Sequence, residues 1–436
     1  MFLWLHVITV ELLRKRFNIR NPSDRNNLFW RCISQISNSP AKQKAIDYVN
    51  QWGDSFWQES EERILEFSER LESQLQSAVG ADVGLVSASV NGELNISNEK
   101  KTEIVERANK VVNQVQLKEL MHLIDLLAKD IFVDHQSSFY VVIDGLDEDW
   151  AEDQVRYRLI KALIESVRKF QSVRPVKIVI CLRSDLLHKV LEATKTTGSQ
   201  EEKYESLYLR IFWSKEELKE LLDRRVNFLF RRKYTGTSVG IDELLPSNQM
   251  KQKSSVEYIL ERSFLRPRDV IHFINECMKT ADGRGRFTTH TIWDAERSYS
   301  TKRLRSVCDE WRSSFPNLVD YAAIVEGRPR RFFVKDVSEN DLEPYVVKCL
   351  SATNRVRGPM YEVAKGYLDS RISKIEFLAE LFEKLYLTGI VGVNTVGYEK
   401  VHWSYLDDVP ITKAQLGDDY EIYVHPVFWN ALGIKY

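Results

Sequence analysis

Hydrophobic and polar positions along the chain switch between two periods. Apolar residues at helical spacing run through 1–17 and, via Trp57, Ile64, Leu65, Phe67, Leu71 and Leu75, through 41–78. The pattern changes at 82–97. There Val83, Leu85, Val86 and Val90, then Leu94 and Ile96, flank Asn91-Gly92, a pair suited to the positive φ angles of a tight hairpin. Helical spacing returns over about 100–130. The run Phe139-Tyr-Val-Val-Ile143 then predicts a strand over 138–144, a helix follows near 152–170, and Lys177–Leu182 predicts a second strand. Leu207–Trp213 predicts a third. Ser214-Lys-Glu-Glu217 has the spacing of a capping box and predicts a helix start. Strands separated by helices predict an α/β fold with a parallel sheet and crossover helices. Ligands of such sheets bind at the carboxyl ends of the strands, where Asp144 and Arg183 fall.

From 214 to 300 the spacing is helical throughout, and it includes Phe264-Leu-Arg-Pro-Arg-Asp269 ahead of a helix over 270–278. From 301 to 436 helices mix with short strands. An amphipathic helix is predicted over 375–388. Gly389–Val393, a turn around 394–400 and Val401–Tyr405 predict a β wing, and Tyr420–Trp429 adds a strand and a short helix. Helices followed by a β hairpin are the pattern of a winged-helix domain.

Composition narrows the classes. A chain of 436 residues has room for two or three domains, and 43% hydrophobic with 29% charged residues is the make-up of a soluble globular protein. The net charge of −1 gives no overall attraction to nucleic acid or membrane. Five cysteines without paired spacing argue against a disulfide framework or a zinc site and fit a reducing cytoplasm. The opening Met-Phe-Leu-Trp-Leu-His lacks a basic leader, Glu11 and Arg14-Lys15-Arg16 follow, and the apolar run is too short to span a bilayer. A buried or amphipathic helix is expected instead, with no membrane partner. A chain that starts inside such a helix reads as lacking an upstream element. The eight histidines form no H-E-x-x-H pair and no G-x-S-x-G is present, which leaves little support for a metallo- or serine hydrolase. Arg224-Arg225, Arg231-Arg232-Lys233 and Arg328-Pro-Arg-Arg331 could meet nucleic acid or form solvated faces.

The chemistry concentrates at 139–150, where five apolar β formers run into Asp144-Gly-Leu-Asp147-Glu148-Asp-Trp150. Asp-Gly after a strand is also an ordinary turn. The run nevertheless has the pattern of a Walker B strand, whose terminal carboxylate holds Mg²⁺ beside the β- and γ-phosphates. D-G-L-D-E resembles the variant in STAND-type signalling NTPases, relatives of the AAA+ ATPases. Together with the second strand ending in Arg183, Arg266-Pro-Arg268-Asp269 and the winged-helix-like tail, the chain resembles a bacterial family of STAND/AAA+-like P-loop ATPases. Several of these relatives are associated with defence against phage or mobile DNA. The resemblance implies a P-loop NTPase core over 1–213 carrying an insertion at about 41–130, a helical lid over 214–300 and a C-terminal winged-helix-like domain over 301–436. It implies ATP and Mg²⁺ as cofactors, Asp144 as the metal carboxylate, and Asp147 or Glu148 as the group that positions the attacking water. Arg183 would be a sensor near the γ-phosphate, or else a surface arginine that pairs with Asp185. Arg268, with Arg266 as competitor, would reach back from the lid. DNA or a protein effector, and a homo-oligomer, are the implied partners.

The departure is large. None of the 18 glycines begins G-x-x-x-x-G-K-S/T, so the loop that cradles phosphates with backbone N–H groups and a lysine is not in these residues. The core is therefore expected to be incomplete, with Val141 and Ile143 lacking a neighbour on one side. A truncated ATPase, a split ATPase and a pseudo-ATPase all fit. The alternative is a non-enzymatic DNA- or protein-binding chain that uses the C-terminal domain and keeps the NTPase portion as scaffold.

Overall fold

The computed structural model describes residues 1–17, 60–79, 114–194, 204–233, 238–350, 358–394, 400–407 and 416–435, except 135, 149, 205, 248, 249, 285, 313, 417 and 418. The chain divides into two compact units, Met1–Tyr208 and Leu209–Tyr436. The hairpin expected at 82–97, and residues 41–59 and 100–113 of the expected helices, lie outside the described residues.

In the first unit, α1 (Phe2–Phe17) is apolar on nearly every side, and Leu3, Trp4, Leu5, Val7, Ile8, Val10, Leu12 and Leu13 are all buried. A helix that is hydrophobic all round belongs in a core. The Trp4 indole N–H donates to the Leu159 carbonyl at 2.7 Å, so its one polar atom is satisfied there. Next come α2 (Ser60–Val79), α3 (Gln114–Leu126) with a π turn over Leu127–Ile131, β1 (Phe139–Ile143), α4 (Asp153–Val167), β2 (Val176–Ile180) and α5 (Ser184–Ala193). Strands β1 and β2 pair in parallel, with Tyr140 opposite Lys177 and Val142 opposite Val179. The two-residue period splits their side chains. Phe139, Val141, Ile143, Ile178 and Ile180 pack on the helical core, while Tyr140 and Val142 are 68% and 63% exposed. Among the described residues each strand is paired along one edge only.

The third strand is a correction: Leu207–Trp213 forms none. Leu209 and Ile211 are 89% and 85% exposed. β propensity measures how well a side chain fits a pleated neighbour, and no strand lies beside this segment among the described residues.

The second unit begins with α6 (Lys215–Lys233), whose start has the expected reciprocal cap. The Ser214 N–H donates to Glu217 at 2.8 Å and the Glu217 N–H to Ser214 Oγ at 3.1 Å. It continues with α7 (Ile241–Leu244), α8 (Ser255–Leu260), α9 (Pro267–Ala281), α10 (Thr289–Glu310) and α11 (Leu318–Ala322). Then follow β3 (Arg331–Phe333), α12 (Glu339–Leu350), α13 (Met360–Leu368), α14 (Lys374–Leu387), β4 (Val391–Asn394) and β5 (Glu421–Val424). The strands form an antiparallel sheet in the order β3-β5-β4. One hydrophobic core runs from Leu218 on α6 to Ile434, so the helices before residue 300 and the sheet after it are buried together. The expected strand Val401–Tyr405 is reduced to a single bridge, His402 opposite Val393. The chain turns at Trp403, whose N–H donates to the Asp407 carboxylate at 2.6 Å and whose carbonyl accepts from Leu406 and Asp407. Strand β5 ends at His425, where burial pushes the imidazole pKa down to about 3. The ring is neutral, with Nδ1 accepting from the Val427 N–H and Nε2 bonded to the Tyr405 hydroxyl.

Buried charges tie the helices together. Arg262 and Glu296 meet at 2.6 Å with both side chains 3% exposed, and the Tyr258 hydroxyl donates to the same carboxylate at 2.5 Å. Glu276 on α9 accepts from Lys279, from Lys302 on α10 and from Ser298. Burial raises the Glu276 pKa, but these hydrogen bonds outweigh it and bring it down to about 2. A carboxyl depressed on folding adds stability that is present above its unfolded pKa and lost as pH falls through the folded one. Denaturant unfolding of the wild type should therefore weaken between pH 4.5 and about 2, and Glu276→Gln should flatten that part of the profile.

Candidate functional site

The carboxyl ends of β1 and β2 lie side by side because the strands are parallel and in register, with Ile143 opposite Ile180 and the Cys181 N–H donating to the Ile143 carbonyl at 2.8 Å. Asp144 and Arg183 therefore leave the same end of the sheet. Asp144 is exposed, and its Oδ1 accepts from the Gly145 N–H at 2.9 Å. Gly145 has φ +74°, a conformation that L side chains rarely adopt, and this sends the chain into a turn closed by the Glu148 N–H on the Gly145 carbonyl at 3.2 Å. The turn leaves Asp147 and Glu148 exposed. It is held from within by the Trp150 indole N–H on the Leu146 carbonyl and by Arg156 Nη1 on the Glu148 carbonyl, at 3.3 and 2.9 Å. Arg156 is 6% exposed and also pairs with Asp153.

Arg183 is the residue from which α5 starts, since its carbonyl accepts the Leu187 N–H. Its guanidinium is gripped by Asp185 through Nε and Nη2, both at 2.9 Å, while Nη1 stands 3.6 Å from the Asp147 carboxylate. Arg183 thus bridges the acidic turn and the first turn of α5. Lys189, one helical turn on, is pulled below the usual lysine range by burial, with Asp185 and Asp153 acting against that shift. Asp144, Asp147, Glu148 and Arg183 are all placed by the two strand ends. The strand-end motifs mark neither Arg156 nor Lys189. The one sequence signal for Arg156 was its position three residues after Asp153 on the predicted helix.

Arg266 and Arg268 lie on the second unit. Arg266 pairs with Glu310 at 3.1 Å, and Glu310 also holds the buried Arg303. Arg268 is exposed in the first turn of α9 and makes no hydrogen bond or ion pair among the described residues. Of the two, Arg268 has the uncommitted guanidinium. In the basic clusters Arg224 pairs with Glu220, Arg328 with Asp341, and Arg331 lies 3.7 Å from Glu421.

Among the described residues no group of three or more histidine, cysteine or carboxylate side chains is arranged to hold a metal. No described helix is long and apolar enough to cross a membrane.

A family model described as a FunZ-associated C-terminal helical domain matches residues 216–308, which span α6 to α10. The match includes Arg266 and Arg268 and none of the strand-end cluster. No curated protein and no solved structure matches the chain.

Proposed function

We propose that this chain carries the metal- and water-handling part of an ATPase site, and that the phosphate-cradling loop comes from sequence outside these 436 residues. The observation that carries the reading is the parallel pair β1–β2, which brings Asp144, Asp147, Glu148 and Arg183 to one end of a sheet. A Mg²⁺ ion held there would supply positive charge to offset that of the phosphates. Asp144, at the strand end, would hold the metal's water shell. Glu148 or Asp147 would orient the attacking water, and Arg183 would face the terminal phosphate. The order β3-β5-β4, with α14 leading into β4, supports a winged-helix reading of the tail. On this proposal the tail passes a nucleotide-dependent change to a partner or an oligomer.

The DNA-binding alternative draws little from the same tail. Helix α14 is buried along most of its length; Ile375 and Glu376 are exposed, and Lys374, Glu380, Glu383 and Leu387 are half-buried, which leaves more acidic than basic groups on its outer side. Carboxylates there would repel a phosphate backbone.

The test is equilibrium binding of a fluorescent ATP analogue, with and without Mg²⁺, to the chain and to the chain extended by the sequence encoded upstream of Met1. Mg²⁺-dependent binding that Asp144→Ala weakens at least roughly tenfold is the expected result. No binding by either protein would end the ATPase reading.

A further inference from the structure

Arg183 is 43% exposed, and an arginine so placed would normally sample many rotamers. Here it does not have that freedom. Its backbone is fixed as the start of α5, and its guanidinium is fixed by a two-point grip from Asp185, with Nε on one carboxylate oxygen and Nη2 on the other. A planar fork matched to a carboxylate in this way has one orientation. Nη1 faces Asp147 at 3.6 Å. The Asp185 side chain is 14% exposed, against 44% for Asp147, so the grip is the sheltered end of the bridge and the Asp147 contact is the open one. Asp185 also lies in the first turn of a ten-residue helix, where the helix dipole favours a negative charge.

We propose that Asp185 is a positioning residue. It aims Arg183 so that Nη1 points across the strand ends at the acidic turn, and it leaves the weaker Asp147 contact to be exchanged for a ligand anion. The anion class is a nucleotide phosphate group, so the inference rests on the nucleotide reading above. Asp185 itself touches no reacting atom. Its effect passes through Arg183, and this separates it from a merely structural acid. A structural role for Asp185 would cost the same whether or not Arg183 is present. A positioning role disappears when Arg183 is removed.

A double-mutant cycle measures that difference. Affinity for the Mg²⁺ complex of a fluorescent ATP analogue is measured for the wild type, Asp185→Asn, Arg183→Gln and the double variant, in whichever of the two proteins binds it. Thermal unfolding of each variant checks folding, and Asp185→Glu serves as the conservative variant that keeps the charge. Asp185→Asn is expected to weaken binding roughly tenfold in the wild-type background and less than about twofold in the Arg183→Gln background. Asp185→Glu should recover part of the loss. Equal losses in both backgrounds, or no loss from Asp185→Asn, would overturn the positioning role while leaving the nucleotide reading in place. Absence of binding by wild-type protein in both forms would overturn the reading and this inference together.

Discussion

Arg262→Ala is expected to destabilise the C-terminal unit by about 3–5 kcal/mol, the usual cost of leaving one member of a buried ion pair without its partner. Glu296 would be left without its cation in a site where it is 3% exposed, with the Tyr258 hydroxyl as its remaining partner among the described residues. Arg262 also stacks on the Tyr258 ring at 3.4 Å, so truncation opens a cavity as well. The melting temperature of this unit should drop by roughly 10 °C. The paired replacement Arg262→Met with Glu296→Leu should lose less, because no buried charge is left without its partner, although the Tyr258 hydroxyl loses its acceptor. Denaturant unfolding of the three proteins distinguishes the cases. Similar losses for the single and double variants would mean that packing, and not the uncompensated charge, sets the cost.

The second large effect is catalytic. On the proposed ATPase function, Glu148→Gln in the chain extended by its upstream-encoded sequence is expected to lower the rate of ATP hydrolysis by about 10²–10⁴-fold, the range ascribed to a positioned general base, while Mg²⁺-dependent binding stays within about twofold. Glu148 suits that role because its main chain is tied down while its carboxylate remains exposed. The Glu148 carbonyl accepts from Arg156 and from the Trp150 N–H, and its own N–H closes the Gly145 turn. Asp147 is occupied by Arg183. Asp147→Asn should therefore act mainly on affinity, through the release of Arg183. Phosphate release and analogue binding, measured on the same preparations, check both halves. A rate loss in Asp147→Asn with none in Glu148→Gln would reverse the assignment.

Local signals carried much of this architecture. The largely apolar α1, the Ser214 capping box and the run Phe139–Ile143 are each legible because a few adjacent residues determine them. The acidic turn was legible for the same reason, since Asp-Gly after a β run states both the strand end and the positive φ. What failed needed a partner distant in sequence. Leu207–Trp213 has every residue a strand wants and no neighbouring strand among the described residues. Arg331–Phe333 is three residues long, too short to show a period, and is a strand only because Glu421–Tyr423 lies beside it. The Arg262–Glu296 pair joins positions 34 residues apart. Arg156 gave only a weak hint, because its bond to the Glu148 carbonyl depends on how α4 packs under the turn.

The central claim is that the Asp144–Glu148 turn holds the metal of a bound nucleotide. Metal-directed cleavage tests it most directly: Fe²⁺ replaces Mg²⁺ in the presence of ATP, ascorbate and peroxide generate radicals at the metal, and the backbone breaks are mapped by mass spectrometry. The expected result is cleavage within or next to residues 144–148 that requires ATP, is suppressed by excess Mg²⁺ and is absent in Asp144→Ala. ATP-dependent cleavage elsewhere, or cleavage at the turn that persists in Asp144→Ala, would contradict it.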